Sequence, residues 1–113
     1  MRAKRLGDIH TDAEQERSAP MMRTREMGAS RAEFMRILPA ALGTSDYSVV
    51  GNDIVCTLGE RRVAIRFERE SQRRIANLEL PILTVTLSLD GFDAAQAERF
   101  LQRFDLYFRR GGG

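Results

Sequence analysis

The stretch Ile82 to Arg110, ILTVTLSLDGFDAAQAERFLQRFDLYFRR, constrains the fold more than any other part of the chain. Leu83, Val85, Leu87 and Leu89 alternate with Thr84, Thr86, Ser88 and Asp90. Period two predicts a strand with one dry face and one wetter face. Ala97, Phe100, Leu101, Phe104 and Phe108 then recur at helical spacing and predict an amphipathic helix. Between the two, Asp90-Gly91-Phe92-Asp93 reads as a turn leading into a helix cap, with Asp93 as N-cap and Gln96 at N3 in a capping-box pattern. Arg109 and Arg110 suit the negative end of the helix dipole.

Upstream, Ser30-Arg31-Ala32-Glu33 forms a second capping box, followed by the stripe Phe34, Ile37, Leu38, Ala41, Leu42 and by Gly43 as a left-handed stop. Pro39 lies inside this helix and predicts a kink or break near Leu38, because it removes one backbone bond and crowds the preceding turn. Tyr47 to Val50 and Asp53 to Leu58 flank Gly51-Asn52, a hairpin signal. Gly59-Glu60 makes another tight turn. From Arg61 to Arg69, Val63, Ile65 and Phe67 alternate with Arg62, Ala64, Arg66 and Glu68. Glu70-Ser71-Gln72 reads as a turn. Arg73 to Leu80 reads as either a short irregular edge strand or a structured loop, with Ile75 on the face opposite Leu78 and Leu80. Pro81 cannot donate to a ladder and marks a boundary.

Short turns between strands require an antiparallel meander. The expected fold is α+β, in the order α-β-β-β-(β)-β-α: a two-layer sandwich whose sheet is covered on one face by two helices. Phe34, Leu38, Phe100, Leu101, Phe104 and Phe108 would pack on Ile54, Leu58, Val63, Ile65, Phe67, Val85 and Leu87. Phe104→Ala is expected to be among the most damaging single changes, at roughly 3–5 kcal/mol. The opposite sheet face would carry Val55, Thr57, Arg62, Ala64, Arg66, Thr84 and Thr86.

A chain of 113 residues supports one domain, expected over residues 30–110. Residues 1–29 hold six basic and five acidic side chains and few aliphatics. Too little can be buried there to offset ordering entropy, so a disordered arm is expected. Gly111-Gly112-Gly113 is expected to be a flexible tail. Arg109-Arg110-Gly111-Gly112-Gly113 is similar to the glycine tails of ubiquitin-like carriers over these last residues alone; those tails follow a strand and end on two glycines, whereas a helix precedes three here.

The side chains argue more clearly against functions than for one. The single Cys56 excludes an intramolecular disulfide, and no His or Cys pair has metal-ligand spacing, so no metal or cofactor is expected. His10, the one histidine, lies in the N-terminal arm, which counts against general-base catalysis. Cys56, at an inward strand position with no histidine to activate it, reads as a small hydrophobe rather than a nucleophile. No catalytic residue is assigned, and an enzyme is the least supported class. There is no apolar run of the roughly 18 residues needed to cross a bilayer and no secretory h-region, which places the chain in the cytoplasm.

A net charge of +2 is too small to argue for nucleic acid by itself. Arginine outnumbers lysine by 17 to one, a bias spread along the chain that follows GC-rich bacterial codon usage. It is densest from Arg61 to Arg74, where six arginines meet two glutamates. Arg62, Arg66, Arg73 and Arg74 are therefore the candidate residues for an anion or a partner. Exposed aromatics for base stacking are missing beside them. The expected role is a small non-catalytic protein-interaction or accessory module, with a second copy of the chain or another protein as partner; the alternative is an RNA- or anion-binding domain using the arginine-rich sheet face.

Overall fold

A computed structural model describes residues 20–112, with side chains to Arg109. Seven elements follow in order: β1 (Met21–Met27), α1 (Arg31–Leu42), β2 (Tyr47–Val50), β3 (Asp53–Leu58), β4 (Arg61–Ile75), β5 (Leu78–Asp90) and α2 (Ala94–Gly112). The five strands form one antiparallel sheet in the order β1-β5-β4-β3-β2, and both helices lie on one face of it. The fold is therefore the α+β two-layer sandwich expected from the alternating strands and the two capped helices, with one further strand at the sheet edge.

That strand, β1, falls inside the segment expected to be a disordered arm up to Ala29; residues 1–19 of that segment lie outside the described residues. Met21 and Met27 pack against the core from the sheet edge, and the backbone of β1 pairs residue for residue with Leu83 to Leu89. Seven residues of mixed charge make a strand here because the neighbouring strand supplies the hydrogen-bond partners and α2 supplies an ion pair. The Arg25 guanidinium forks onto Asp105 with Nε and Nη2 at 2.9 and 3.1 Å from the two carboxylate oxygens.

Both capping boxes form. Ser30 Oγ accepts from Glu33 N at 3.1 Å while Glu33 Oε1 accepts from Ser30 N at 2.8 Å. Asp93 and Gln96 repeat the exchange at 2.8 and 3.0 Å. Of the kink or break expected near Leu38, the break does not occur. α1 runs one turn past Pro39 to Leu42, where Gly43 takes φ 78° and donates to the Pro39 carbonyl. One missing backbone bond is outweighed because Leu38, Ala41 and Leu42, on both sides of the proline, are buried against the sheet and α2. α2 continues to Gly112, into the expected glycine tail, since extending an established helix costs far less than starting one.

The core joins Phe34 and Leu38 of α1 and Leu101, Phe104 and Phe108 of α2 to Ile54, Cys56, Val63, Ile65, Phe67, Leu83, Val85, Leu87 and Leu89 of the sheet. Phe34 stacks on Phe108 at 4.7 Å and meets Phe67 edge-on at 5.2 Å. Phe100 and Leu58 pack on its margin, half-buried rather than enclosed.

The largest departure from the expected order lies between Arg69 and Leu83. Glu70-Ser71-Gln72 is not a turn, and Arg73 to Leu80 is neither a single strand nor a loop but the tip of a hairpin. β4 continues to Ile75, the chain reverses at Ala76-Asn77, and β5 returns in register from Ile75↔Leu78 to Glu70↔Leu83. Because the reversal falls between Ile75 and Leu78, the two sit opposite one another on the same face, not on opposite faces as a single continuous strand would place them.

Candidate functional site

The β4–β5 ribbon outgrows its neighbours. β3 pairs with β4 only as far as Arg66, and β1 pairs with β5 only from Leu83 onward. From Ser71 to Ile82 the two strands stand alone as an arm, and every residue from Gln72 to Leu80 is exposed. The arm accounts for the elongated outline, with principal extents of 67 × 27 × 26 Å and a radius of gyration of 17.4 Å, against about 12 Å for a compact domain of this size.

Within the body, the apolar residues of the ribbon face the helices: Val63, Ile65 and Phe67 of β4, and Leu83, Val85, Leu87 and Leu89 of β5. In the arm that arrangement inverts. A bulge between Phe67 and Arg69 shifts the phase of β4, while β5 alternates without a break and its apolar residues pass from even positions (Leu78, Leu80, Ile82) to odd ones (Leu83, Val85, Leu87, Leu89). The register then places Ile75, Leu78, Leu80 and Ile82 on the face opposite the helices, beside Thr84, Thr86 and Ser88, while Gln72, Arg74, Glu79 and Pro81 take the helix-side face. Ile75, Leu78 and Leu80 are 51%, 63% and 41% exposed, large values for aliphatic side chains.

The same bulge aligns the arginines. Arg62, Arg66 and Arg73 of the candidate set share the face away from the helices, and the phase shift adds Arg69 to their row. Uniform alternation would have turned both Arg69 and Arg73 toward the core; the bulge brings both to the face of Arg62 and Arg66. Arg74 is not in the row. It lies on the other face of the arm and pairs with Glu79 at 2.9 Å. Acids accompany the row: Asp53 stands 3.6 Å from Arg66, Glu26 stands 3.9 Å from Arg73, and Asp90 is the register partner of Arg62. Arg69, Ser71, Arg73, Ile82, Thr84 and Glu26 line a shallow pocket of about 220 Å³ at the base of the arm. These ion pairs are exposed and contribute little to stability. Their effect is to neutralise most of the basic surplus that the linear sequence displays.

Cys56 is buried on the helix side of β3 with its Sγ 3.8 Å from the Asp46 carbonyl oxygen. Burial, and secondarily the Asp46 carboxylate, push the thiol above its ordinary range, so it stays protonated and inert. Among the described residues no cluster of three His, Cys, Asp or Glu side chains could hold a metal ion, and no helix is long and apolar enough to cross a membrane. His10 lies outside the described residues. No protein-family model matches the chain, and comparison with curated proteins and with solved structures found no significant match.

Proposed function

We propose that this protein is a non-catalytic protein-contact module of the cytoplasm whose contact element is the β4–β5 arm. The observation that carries this reading is the inverted apolar stripe: Ile75, Leu78, Leu80 and Ile82 project from a two-stranded arm on the face that neither helix covers. An isolated two-stranded ribbon is marginally stable in water, so an arm with an apolar face gains most from a surface that covers it. The near-neutral charge of the arm supports a protein surface over RNA. From Ser71 to Ile82, Arg73 and Arg74 meet Glu79, a surplus of one charge, whereas phosphate binding needs a clear basic surplus.

The test is photo-crosslinking in cells from a reactive side chain at Leu78, with Arg36 on the exposed side of α1 as control. The expected result is a discrete protein adduct from position 78, insensitive to ribonuclease, and none from position 36. An adduct to RNA alone, or no adduct, overturns the reading.

A further inference from the structure

We infer that Arg23 and Arg25 lock the outer edge of the sheet: their guanidiniums cap the backbone carbonyls that an added strand would need, and Asp105 holds the lock closed. This is independent of what the arm contacts.

β1 ends the five-stranded sheet, so half of its backbone has no strand to bond. The register fixes which half. The two-residue reversal at Ala76-Asn77 makes Ile75↔Leu78 a bonded pair, and bonded pairs then alternate along β5. Even residues of β5 bond to β4, and Leu83, Val85, Leu87 and Leu89 bond to Met27, Arg25, Arg23 and Met21. Met22, Thr24 and Glu26 therefore turn their N–H and C=O groups outward. Such a row is a template for another chain. Beside it, between β1 and the first half of α2, lies a hollow of about 420 Å³ with Met21, Ala97 and Leu101 in its lining. An open backbone row with an apolar seat alongside is the combination that strand-addition sites use.

Two arginines stand in the way. Arg23 Nη1 donates to the Met22 carbonyl at 2.8 Å, and Arg25 Nη1 donates to the Thr24 carbonyl at 3.2 Å. Each takes an outward acceptor and lays a cation where an incoming strand would bring its own N–H. Arg25 is fixed in this pose by its fork onto Asp105 of α2. Both arginines also line the hollow, so they cover its seat. The lock acts against the chain itself in a second way. Two copies of β1 paired antiparallel about Thr24 match all three outward residues, and set Arg23 of each against Arg25 of the other, like charges directly opposite. With alanine at both positions that register holds no like-charge pair, since Met22 then meets Glu26 and Thr24 meets Thr24. The other edges are closed by different means. β2 has only four residues, and in the arm Pro81 lacks a donor on one strand while Glu70 and Arg74 flank the edge of the other.

The experiment is sedimentation velocity on the full chain: wild type, Arg23→Ala/Arg25→Ala, and the same pair with Thr24→Pro added. Circular dichroism reports that each stays folded. The double variant is expected to self-associate at least about tenfold more tightly than wild type, edge to edge through β1. Thr24→Pro removes an outward donor, leaves the bonds to β5 intact and changes no charge. It is expected to return association to the wild-type level. Where the double variant loses the wild-type spectrum, Arg23→Ala alone, which keeps the Arg25–Asp105 fork, decides by the same comparison. A folded variant that associates no more than wild type, or a gain that survives Thr24→Pro, overturns the proposal. Neither result touches the adduct expected from position 78, so the lock and the protein-contact reading fail separately.

Discussion

At the residue scale, two positions make the local geometry testable. Gly91, in the turn between β5 and α2, has φ 80°, and a Cβ there would lie 2.7 Å from the Glu60 carbonyl oxygen and 3.3 Å from the Arg61 Cα. Neither neighbour can swing aside, since both are backbone of the adjoining turn. Gly91→Ala is expected to cost about 2 kcal/mol or more, a fall of roughly 10 °C in Tm by thermal denaturation. Cys56 predicts a pH effect. Below the ordinary thiol value of 9.0 both folded and unfolded chains carry the proton, and the contribution is constant. Above it the unfolded chain ionises first while the buried thiol holds its proton. Stability therefore falls as pH rises, until the folded thiol ionises too. The loss of stability between about pH 8 and pH 10.5 is expected to be smaller in Cys56→Ala than in wild type, measured by urea denaturation; equal losses would contradict the assignment.

At the element scale, Pro39 offers the cleanest perturbation. Its backbone nitrogen cannot donate, yet tertiary burial holds α1 together through it. Pro39→Ala is expected to stabilise the protein by about 1 kcal/mol or more, raising Tm by roughly 5 °C. A lower Tm would mean that the proline ring packs better than an alanine can. The helices were legible in the sequence because their signals are local: Ser30 with Glu33, Asp93 with Gln96, and stripes at helical spacing. β1 was not, because a mixed-charge segment becomes a strand only through Leu83 to Leu89 beside it and Asp105 across from it. The length of β4 was hidden for another reason. Glu70-Ser71-Gln72 has the composition of a turn, and only pairing with β5 makes it extended. Arg62 and Arg66 were placed on the correct face by simple alternation. Arg69, Arg73 and Arg74 were not, since a single bulge changes the phase of everything beyond it.

At the scale of the whole molecule, the chain divides into a conventional body and an arm. The body buries nineteen apolar side chains between two helices and one sheet face. The arm does the reverse, turning its aliphatic residues away from the core that the described residues form. A long ribbon whose apolar side changes face at one bulge suits two coverings: the chain's own helices over the first half, and a second surface over the rest. Hydrogen exchange on the arm amides tests this most directly. The amides of Arg73 and Leu80 are expected to exchange at least about tenfold faster than those of Val85 and Leu87, which are paired on both sides and covered by the helices. Arm amides from Ser71 to Ile82 as protected as those of Val85 and Leu87 in the isolated chain would contradict the account.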